Sequence, residues 1–127
     1  MDKPRHILSV EDNKDSSEMI AIFLQSVGYR VTSAPPIAEA LKLLEGHDYD
    51  LFLLDRILPD GDGIDLCKEI RATDTLTPIV FYSAAAYDHD KERGMAAGAQ
   101  AYLTKPEVAD ELEAVIAALI EKHESAV

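Results

Sequence analysis

The feature that most constrains the fold is a run of four large apolar residues, Leu51 to Leu54, that ends at a carboxylate, Asp55. Because apolar and polar residues do not alternate within the run, it is typical of a β-strand buried on both faces, as in a parallel sheet covered by helices. The proline and glycines of residues 59–63 stop the strand and predict a loop beside the acid. Ligands bind at the carboxyl ends of strands in such sheets, so the sequence predicts that Asp55 lies in the functional site.

Four further segments have the composition of short strands, at residues 7–10, 29–33, 79–82 and 101–104, and helical periodicity follows each of the five strands. This alternation predicts an α/β fold with a parallel sheet. Right-handed crossovers favour the flavodoxin-like (βα)5 arrangement, with strand order 2-1-3-4-5 and helices on both faces. The sequence has no linker or repeat, so residues 1–127 are expected to form a single domain, with no effector domain in the chain.

The first helix has one clear boundary and one ambiguous face. We expect it to be capped by Asp15 and Ser16, to bury Val27 and to end at Gly28. Met19 and Ile22 lie beside the apolar stripe, and two interpretations stay open. They either widen the buried face or form an exposed apolar patch.

Composition and charge exclude several classes of function. The net charge is −12, and the sequence has no cluster of Lys and Arg that could bind phosphate groups. Both observations argue against binding to nucleic acid and to anionic membranes. The sequence has no apolar run as long as a membrane span and no signal-peptide pattern at its start. The single Cys67 cannot form an internal disulfide and is expected to be a buried filler. These features predict a cytoplasmic protein.

Polar residues follow four of the predicted strands: Glu11, Asp12, Asp55, Ser83 and Lys105. In the predicted order the first and third strands flank the switch point, so the three carboxylates should face one crevice. Such a cluster is repulsive unless a cation lies within it, and a hard divalent ion suits oxygen ligands. The sequence therefore predicts a Mg²⁺ site, with Mn²⁺ as a substitute, next to a lysine and a hydroxyl donor.

This set of groups suits phosphoryl transfer. The reaction requires an aligned nucleophile and positive charge around the moving oxygens, and the protein has few other tasks. A carboxylate nucleophile, a metal, a lysine and a hydroxyl meet that requirement, with Asp55 becoming an aspartyl phosphate.

The chain resembles the receiver domains of two-component response regulators, of the chemotaxis-regulator kind, from its first strand to its last helix. The matching motifs are Glu11-Asp12, Asp55 with Leu-Pro-Asp-Gly-Asp-Gly behind it, Ser83-Ala84, Gly98-Ala99, Tyr102 and Lys105-Pro106. Each motif is common by itself. Their occurrence in order, each at a strand end, is specific.

The resemblance implies a Mg²⁺ site with these protein ligands: Glu11, Asp12, Asp55 and the backbone carbonyl of Ile57. It also implies that Ser83 and Lys105 bind the phosphoryl oxygens and that Tyr102 turns inward as Ser83 moves. Pro106 would follow a cis peptide bond. The surface that switches would comprise the fourth helix, fifth strand and fifth helix.

The resemblance also implies the partners and the reaction. Asp55 would accept phosphate from a phosphohistidine of a sensor histidine kinase or of a histidine phosphotransfer protein, whose helical bundle would dock on Met19 and Ile22. The output would be an effector protein or domain that the sequence does not name. Chemistry would be limited to self-catalysed phosphotransfer and autodephosphorylation, in a monomer or a dimer formed after phosphorylation.

Three alternatives belong to other classes of function. A haloacid-dehalogenase-type phosphatase needs a second Asp two residues beyond the nucleophile, where this chain has Ile57. A flavodoxin needs a phosphate loop after the first strand, and none is present. A receiver-like binding module that signals without phosphate stays open, although the intact acid, hydroxyl and lysine set argues against it.

Overall fold

The structure is a computed structural model that describes residues 4–85, 87–105 and 109–125. Its main sheet has five parallel strands in the order β2-β1-β3-β6-β7. The strands are β1 (His6–Val10), β2 (Arg30–Ala34), β3 (Leu51–Leu54), β6 (Ile79–Ser83) and β7 (Ala101–Thr104). A small antiparallel hairpin, β4 (Ile57–Leu58) and β5 (Gly61–Asp62), follows β3. Counting the main sheet alone, this is the predicted order 2-1-3-4-5, and the flavodoxin-like fold is confirmed.

Five helices cover the sheet: α1 (Lys14–Ser26), α2 (Ile37–Leu44), α3 (Gly63–Thr73), α4 (Asp88–Ala96) and α5 (Ala109–Ser125). Side chains of α1 and α5 pack on one face around Ile7, Leu53 and Val80. Side chains of α2 and α3 pack on the other face around Leu8, Phe52 and Phe81. Successive residues of the central strands enter opposite cores, so these strands are apolar throughout. Within the described residues, no helix is long and apolar enough to cross a bilayer.

The ends of α1 differ from the prediction. Its cap is Asn13, whose side chain accepts a hydrogen bond from the Ser16 amide, and Asp15 lies inside the first turn. The predicted cap was wrong because Asn13 occupies the residue just before the helix and its side-chain oxygen reaches the amide three residues on. Val27 is 46% exposed, because it lies at the C-cap, where the helix no longer follows the sheet. Gly28 ends the helix with φ +102°, as expected.

The sequence predicts only a loop after β3, where the structure has a hairpin that supplies the cap of α2. Asp60 at its tip accepts hydrogen bonds from the amides of Ile37 at 2.7 Å and Ala38 at 3.0 Å. These amides open α2, whose own N-cap, Pro36, has no side-chain acceptor. Asp60 therefore caps α2 from a distant part of the chain.

Candidate functional site

The register of the sheet brings the ends of β1 and β3 together. Val10 lies opposite Leu54, so that Glu11 and Asp55 follow on neighbouring strands. The Asp55 amide donates to the Val10 carbonyl at 2.9 Å, which extends the pairing by one residue. Both acids are buried even though each lies at a strand end. The switch point thus positions two carboxylates side by side, as the sequence predicted.

Asp55 is held by a hydroxyl and an ammonium group. The Ser83 hydroxyl donates to Asp55 Oδ1 at 2.7 Å, and Lys105 Nζ donates to Asp55 Oδ2 at 3.0 Å. Lys105 also contacts Glu11 Oε2, so one lysine bridges two acids. The predicted site residues from all four strand ends therefore meet at one point.

The two buried carboxylates of the site, Glu11 and Asp55, have opposite pKa shifts. Burial, together with the neighbouring Asp55, raises the pKa of Glu11 above its ordinary value. Burial would also raise the pKa of Asp55, but hydrogen bonds to Glu11, Ser83 and Lys105 outweigh it and lower that pKa. The lowered pKa favours the ionised form of Asp55, and an ionised carboxylate is the form that acts as a nucleophile.

The acid cluster has the donors that a hard metal ion prefers. Oxygen atoms of Glu11, Asp12 and Asp55 lie within 4.8 Å of one another. Asp12 is exposed, whereas the other two acids are buried, so the cluster opens to solvent on one side. It lies in an open cleft of about 320 Å³ that also includes Ser83 and Lys105. Three carboxylates against one lysine leave an excess of negative charge, and the donor set fits Mg²⁺.

The structure describes two of the remaining predicted site residues, Ile57 and Tyr102. Ile57 lines the cleft, with a side chain that is 66% exposed and an amide that donates to Asp55 Oδ1 at 3.2 Å. Tyr102 is half-buried, stacks on Phe81 at 5.5 Å between ring centroids and donates its hydroxyl to the Ala85 carbonyl. Pro106, the predicted cis-proline, lies outside the described residues.

Met19 and Ile22 are 69% and 67% exposed. The interpretation that they widen the buried face of α1 is therefore wrong, and their role as a docking patch stays a prediction. The buried stripe of the helix is narrower and centres on Ile20 and Leu24.

A second charged cluster lies beside the first, and sequence reasoning missed it. Arg56 is 8% exposed, and its guanidinium binds both oxygens of Asp62, at 2.9 and 3.0 Å. Its third donor, Nη1, binds Asp90 Oδ1 at 2.9 Å. The sequence signal was an arginine inside an acidic loop, but nothing in the sequence placed α4, and therefore Asp90, against that loop.

The fold and the site define a class of protein: a flavodoxin-like domain whose switch point holds an acid cluster, a hydroxyl and a lysine. The family model described as "Response regulator receiver domain" matches residues 7–117. The chain belongs to this family, and the resemblance stated from the sequence is confirmed.

Three comparisons describe the relationship. The chain is 35% identical over 122 residues to the alkaline phosphatase synthesis transcriptional regulatory protein PhoP of Bacillus subtilis, covering 96% of this chain and 51% of PhoP. It is 40% identical over 110 residues to the transcriptional regulatory protein DltR of Streptococcus agalactiae, covering 87% of this chain and 49% of DltR. A two-component response regulator from Clostridium difficile superposes with a TM-score of 0.88 at 32% identity, covering 92% of this chain and 96% of that one. The chain thus spans about half the length of these curated relatives.

Proposed function

We propose that Asp55 is the phosphoacceptor of a two-component response regulator. The observation that carries this proposal is the contact of Asp55 with both Ser83 and Lys105 at the mouth of an acidic cleft. These donors bind the carboxylate oxygens now, and after transfer they are close enough to bind oxygens of the phosphoryl group.

In the proposed reaction an ionised oxygen of Asp55 attacks phosphorus in line with the leaving group. A bond forms between that oxygen and phosphorus, the bond from phosphorus to the histidine nitrogen breaks, and the nitrogen retains the electron pair. Lys105 compensates the charge on the phosphoryl oxygens, and the Ser83 hydroxyl donates to one of them.

Mg²⁺ would be held by Glu11, Asp12, Asp55 and the Ile57 carbonyl, and when bound it supplies positive charge to the transferring phosphoryl group. The chain's own contribution is to place these ligands at one corner. Removing Mg²⁺ is therefore expected to stop transfer without unfolding the domain.

The proposed phosphodonor is a phosphohistidine on a sensor kinase or phosphotransfer protein. Met19 and Ile22 give α1 an exposed apolar patch of the kind that a helical bundle covers. The proposed output is a change of the surface that α4, β7 and α5 form together, which begins at Ser83 and reaches Tyr102. We place the reaction in the cytoplasm, in keeping with the unpaired, buried thiol of Cys67.

The test is the intact mass of the protein after incubation with acetyl phosphate, with and without Mg²⁺. We expect one added phosphoryl group that needs the metal and is absent from Asp55→Asn. Asp65→Asn, which removes an exposed carboxylate from α3, is the matched control and should behave as wild type.

Two results would contradict the proposal. One is an adduct of the same size on Asp55→Asn. The other is the absence of both an adduct and beryllofluoride binding in the wild-type protein, which would favour a phosphate-independent binding module. Beryllofluoride binding without an adduct would instead support the proposal, with rapid autodephosphorylation.

A further inference from the structure

The loop between β6 and α4 is fastened at both ends to consecutive residues of the phosphoacceptor segment. At its start, the Ser83 hydroxyl binds Asp55 Oδ1 at 2.7 Å. Beyond its end, in the first turn of α4, Asp90 Oδ1 binds Arg56 Nη1 at 2.9 Å. The segment between these two points contains Ala85, whose carbonyl accepts from the Tyr102 hydroxyl.

Arg56 is placed rigidly enough to serve as an anchor. Its backbone carbonyl accepts from the Gly63 amide at 2.8 Å, and its guanidinium binds Asp62 through two parallel hydrogen bonds. Asp62 in turn caps α3, accepting from the Ile64 amide at 2.9 Å. The side chain therefore cannot move without disturbing the hairpin and the start of α3.

Asp90 is fixed equally well on its own helix. Its second oxygen, Oδ2, accepts from the Tyr87 amide at 3.1 Å, and its own amide donates to the Tyr87 carbonyl at 2.9 Å, so Asp90 caps the start of α4. One carboxylate thus joins the helix cap to the guanidinium, so the ion pair fixes the position of the whole first turn.

The packing of α4 leaves little room for the helix to slide. A Cβ atom added to Gly94 would lie 2.8 Å from Tyr102 Cδ2 and 3.1 Å from Phe81 Cδ2. The helix backbone therefore lies directly on the aromatic pair. The ring of Tyr102 therefore packs against α4, and the Arg56–Asp90 ion pair joins the first turn of the same helix to the Asp55 segment.

We propose that Arg56 is a positioning residue that anchors the first turn of α4 to the phosphoacceptor segment. Rearrangement at Asp55 is then confined to the loop between Ser83 and Asp90, at Ala85 and Tyr102, and α4 beyond Asp90 keeps its place. This inference rests on the proposed function of Asp55. It adds a structural element that limits which part of the output surface responds.

The test follows backbone amide resonances before and after addition of beryllofluoride, in wild type, Arg56→Lys and Asp90→Asn. Lysine retains the charge but lacks the planar fork that binds both oxygens of Asp62 while reaching Asp90. Asparagine retains an oxygen acceptor without the charge. Asp88→Asn removes a charge from the same turn of α4 at an exposed residue and is the matched control.

In wild type and Asp88→Asn we expect shift changes at residues 83–85 and Tyr102 and small changes at residues 90–96. In Arg56→Lys and Asp90→Asn the changes at residues 90–96 should grow about threefold, since the anchor is lost. Without beryllofluoride, amide exchange at Asp90 and Lys91 should be faster by about tenfold in Arg56→Lys. The shift pattern separates positioning from a merely structural role, which would change exchange alone.

Wild-type shift patterns in both anchor variants, or large changes throughout α4 in wild type, would overturn the inference. A wild-type protein with no beryllofluoride response near Asp55 would overturn the proposed function and this inference together. The two failures are therefore distinguishable.

Discussion

Two clusters of carboxylates around one cation lie side by side in this molecule, and they differ in how completely the cation satisfies the acids. At the corner around Asp55, Lys105 contacts Glu11 and Asp55, and the exposed Asp12 completes the acid set. At the neighbouring corner, Arg56 binds Asp62 through two hydrogen bonds and Asp90 through a third. The compact ammonium contacts one oxygen of each of two acids, whereas the planar guanidinium binds both oxygens of Asp62 and one of Asp90.

The pKa shifts of Glu11, Asp62 and Asp90 reflect this difference in hydrogen-bond contacts. The pKa of Glu11 is raised, chiefly by burial and by Asp55. The pKa values of Asp62 and Asp90 are lowered, chiefly by their hydrogen bonds to Arg56. The first corner, with three carboxylates to one lysine, is the incomplete corner, and its donor set fits a further cation. The second, in which Arg56 binds both Asp62 and Asp90, is the saturated corner.

The largest expected effect comes from Gly63, which lies between the two corners. A Cβ atom added there would be 2.0 Å from the Asp55 carbonyl oxygen, so the backbone itself must shift. We expect Gly63→Ala to lower the free energy of unfolding by about 3 kcal/mol and to reduce phosphorylation of Asp55. Urea unfolding and intact mass after acetyl phosphate treatment measure the two effects.

Gly46→Ala is the control for that variant. Gly46 has φ +72° and no heavy atom within 4 Å of an added Cβ. Its substitution should cost about 1 kcal/mol from backbone strain alone and leave phosphorylation unchanged. Equal costs at the two glycines would contradict the close approach of Gly63 to Asp55.

The next effect concerns the saturated corner. Arg56→Ala leaves the carboxylates of Asp62 and Asp90 without their cation, and we expect a loss of about 2 kcal/mol in unfolding free energy. This figure is moderate because the Asp62 side chain is 32% exposed and water takes over part of the lost interaction. Arg71→Ala is a poor comparison because Arg71 binds carbonyl groups, so Lys68→Ala, at an exposed residue of α3, is the better control. Urea denaturation that gives equal stability for Arg56→Ala and Lys68→Ala would contradict the structural role of Arg56.

The smallest effect is in the pH dependence of stability. Because Arg56 lowers the pKa of Asp62, the stabilisation it provides is complete above the ordinary carboxyl value of 3.8 and is lost as pH falls through and below that value. The stability difference between wild type and Arg56→Ala should therefore shrink in acid. Urea unfolding at neutral pH and at pH about 3 measures it, and a constant difference would contradict the assignment.

The first corner could be predicted from the sequence because each of its residues directly follows an apolar strand. Glu11, Asp55, Ser83 and Lys105 need only the strand order to be brought together, and crossover handedness leaves few orders to choose from. The second corner could not be predicted in this way. Asp62 and Asp90 belong to a hairpin and a polar helix, α4, whose placement depends on side-chain packing that periodicity does not report.

The same reasoning explains the smaller errors. The sequence predicts a cap at Asp15, and the true cap of α1, Asn13, lies two residues away. The two are hard to distinguish because several polar residues in a row can each accept hydrogen bonds from the first amides of the helix. Met19 and Ile22 could not be assigned to the core or the surface from their spacing. Whether they are buried depends on how α1 is rotated about its axis on the sheet, and in the structure both side chains are exposed.

The most direct test of the central contrast is a calorimetric titration of Mg²⁺ into wild type, Asp12→Asn and Asp90→Asn. The two variants each remove one carboxylate, from the incomplete corner and the saturated corner. We predict one Mg²⁺ bound by wild type and by Asp90→Asn with similar affinity, and a loss of at least about tenfold in Asp12→Asn. Equal weakening in both variants, or binding by Asp12→Asn that matches wild type, would contradict the assignment of the metal site to Glu11, Asp12 and Asp55.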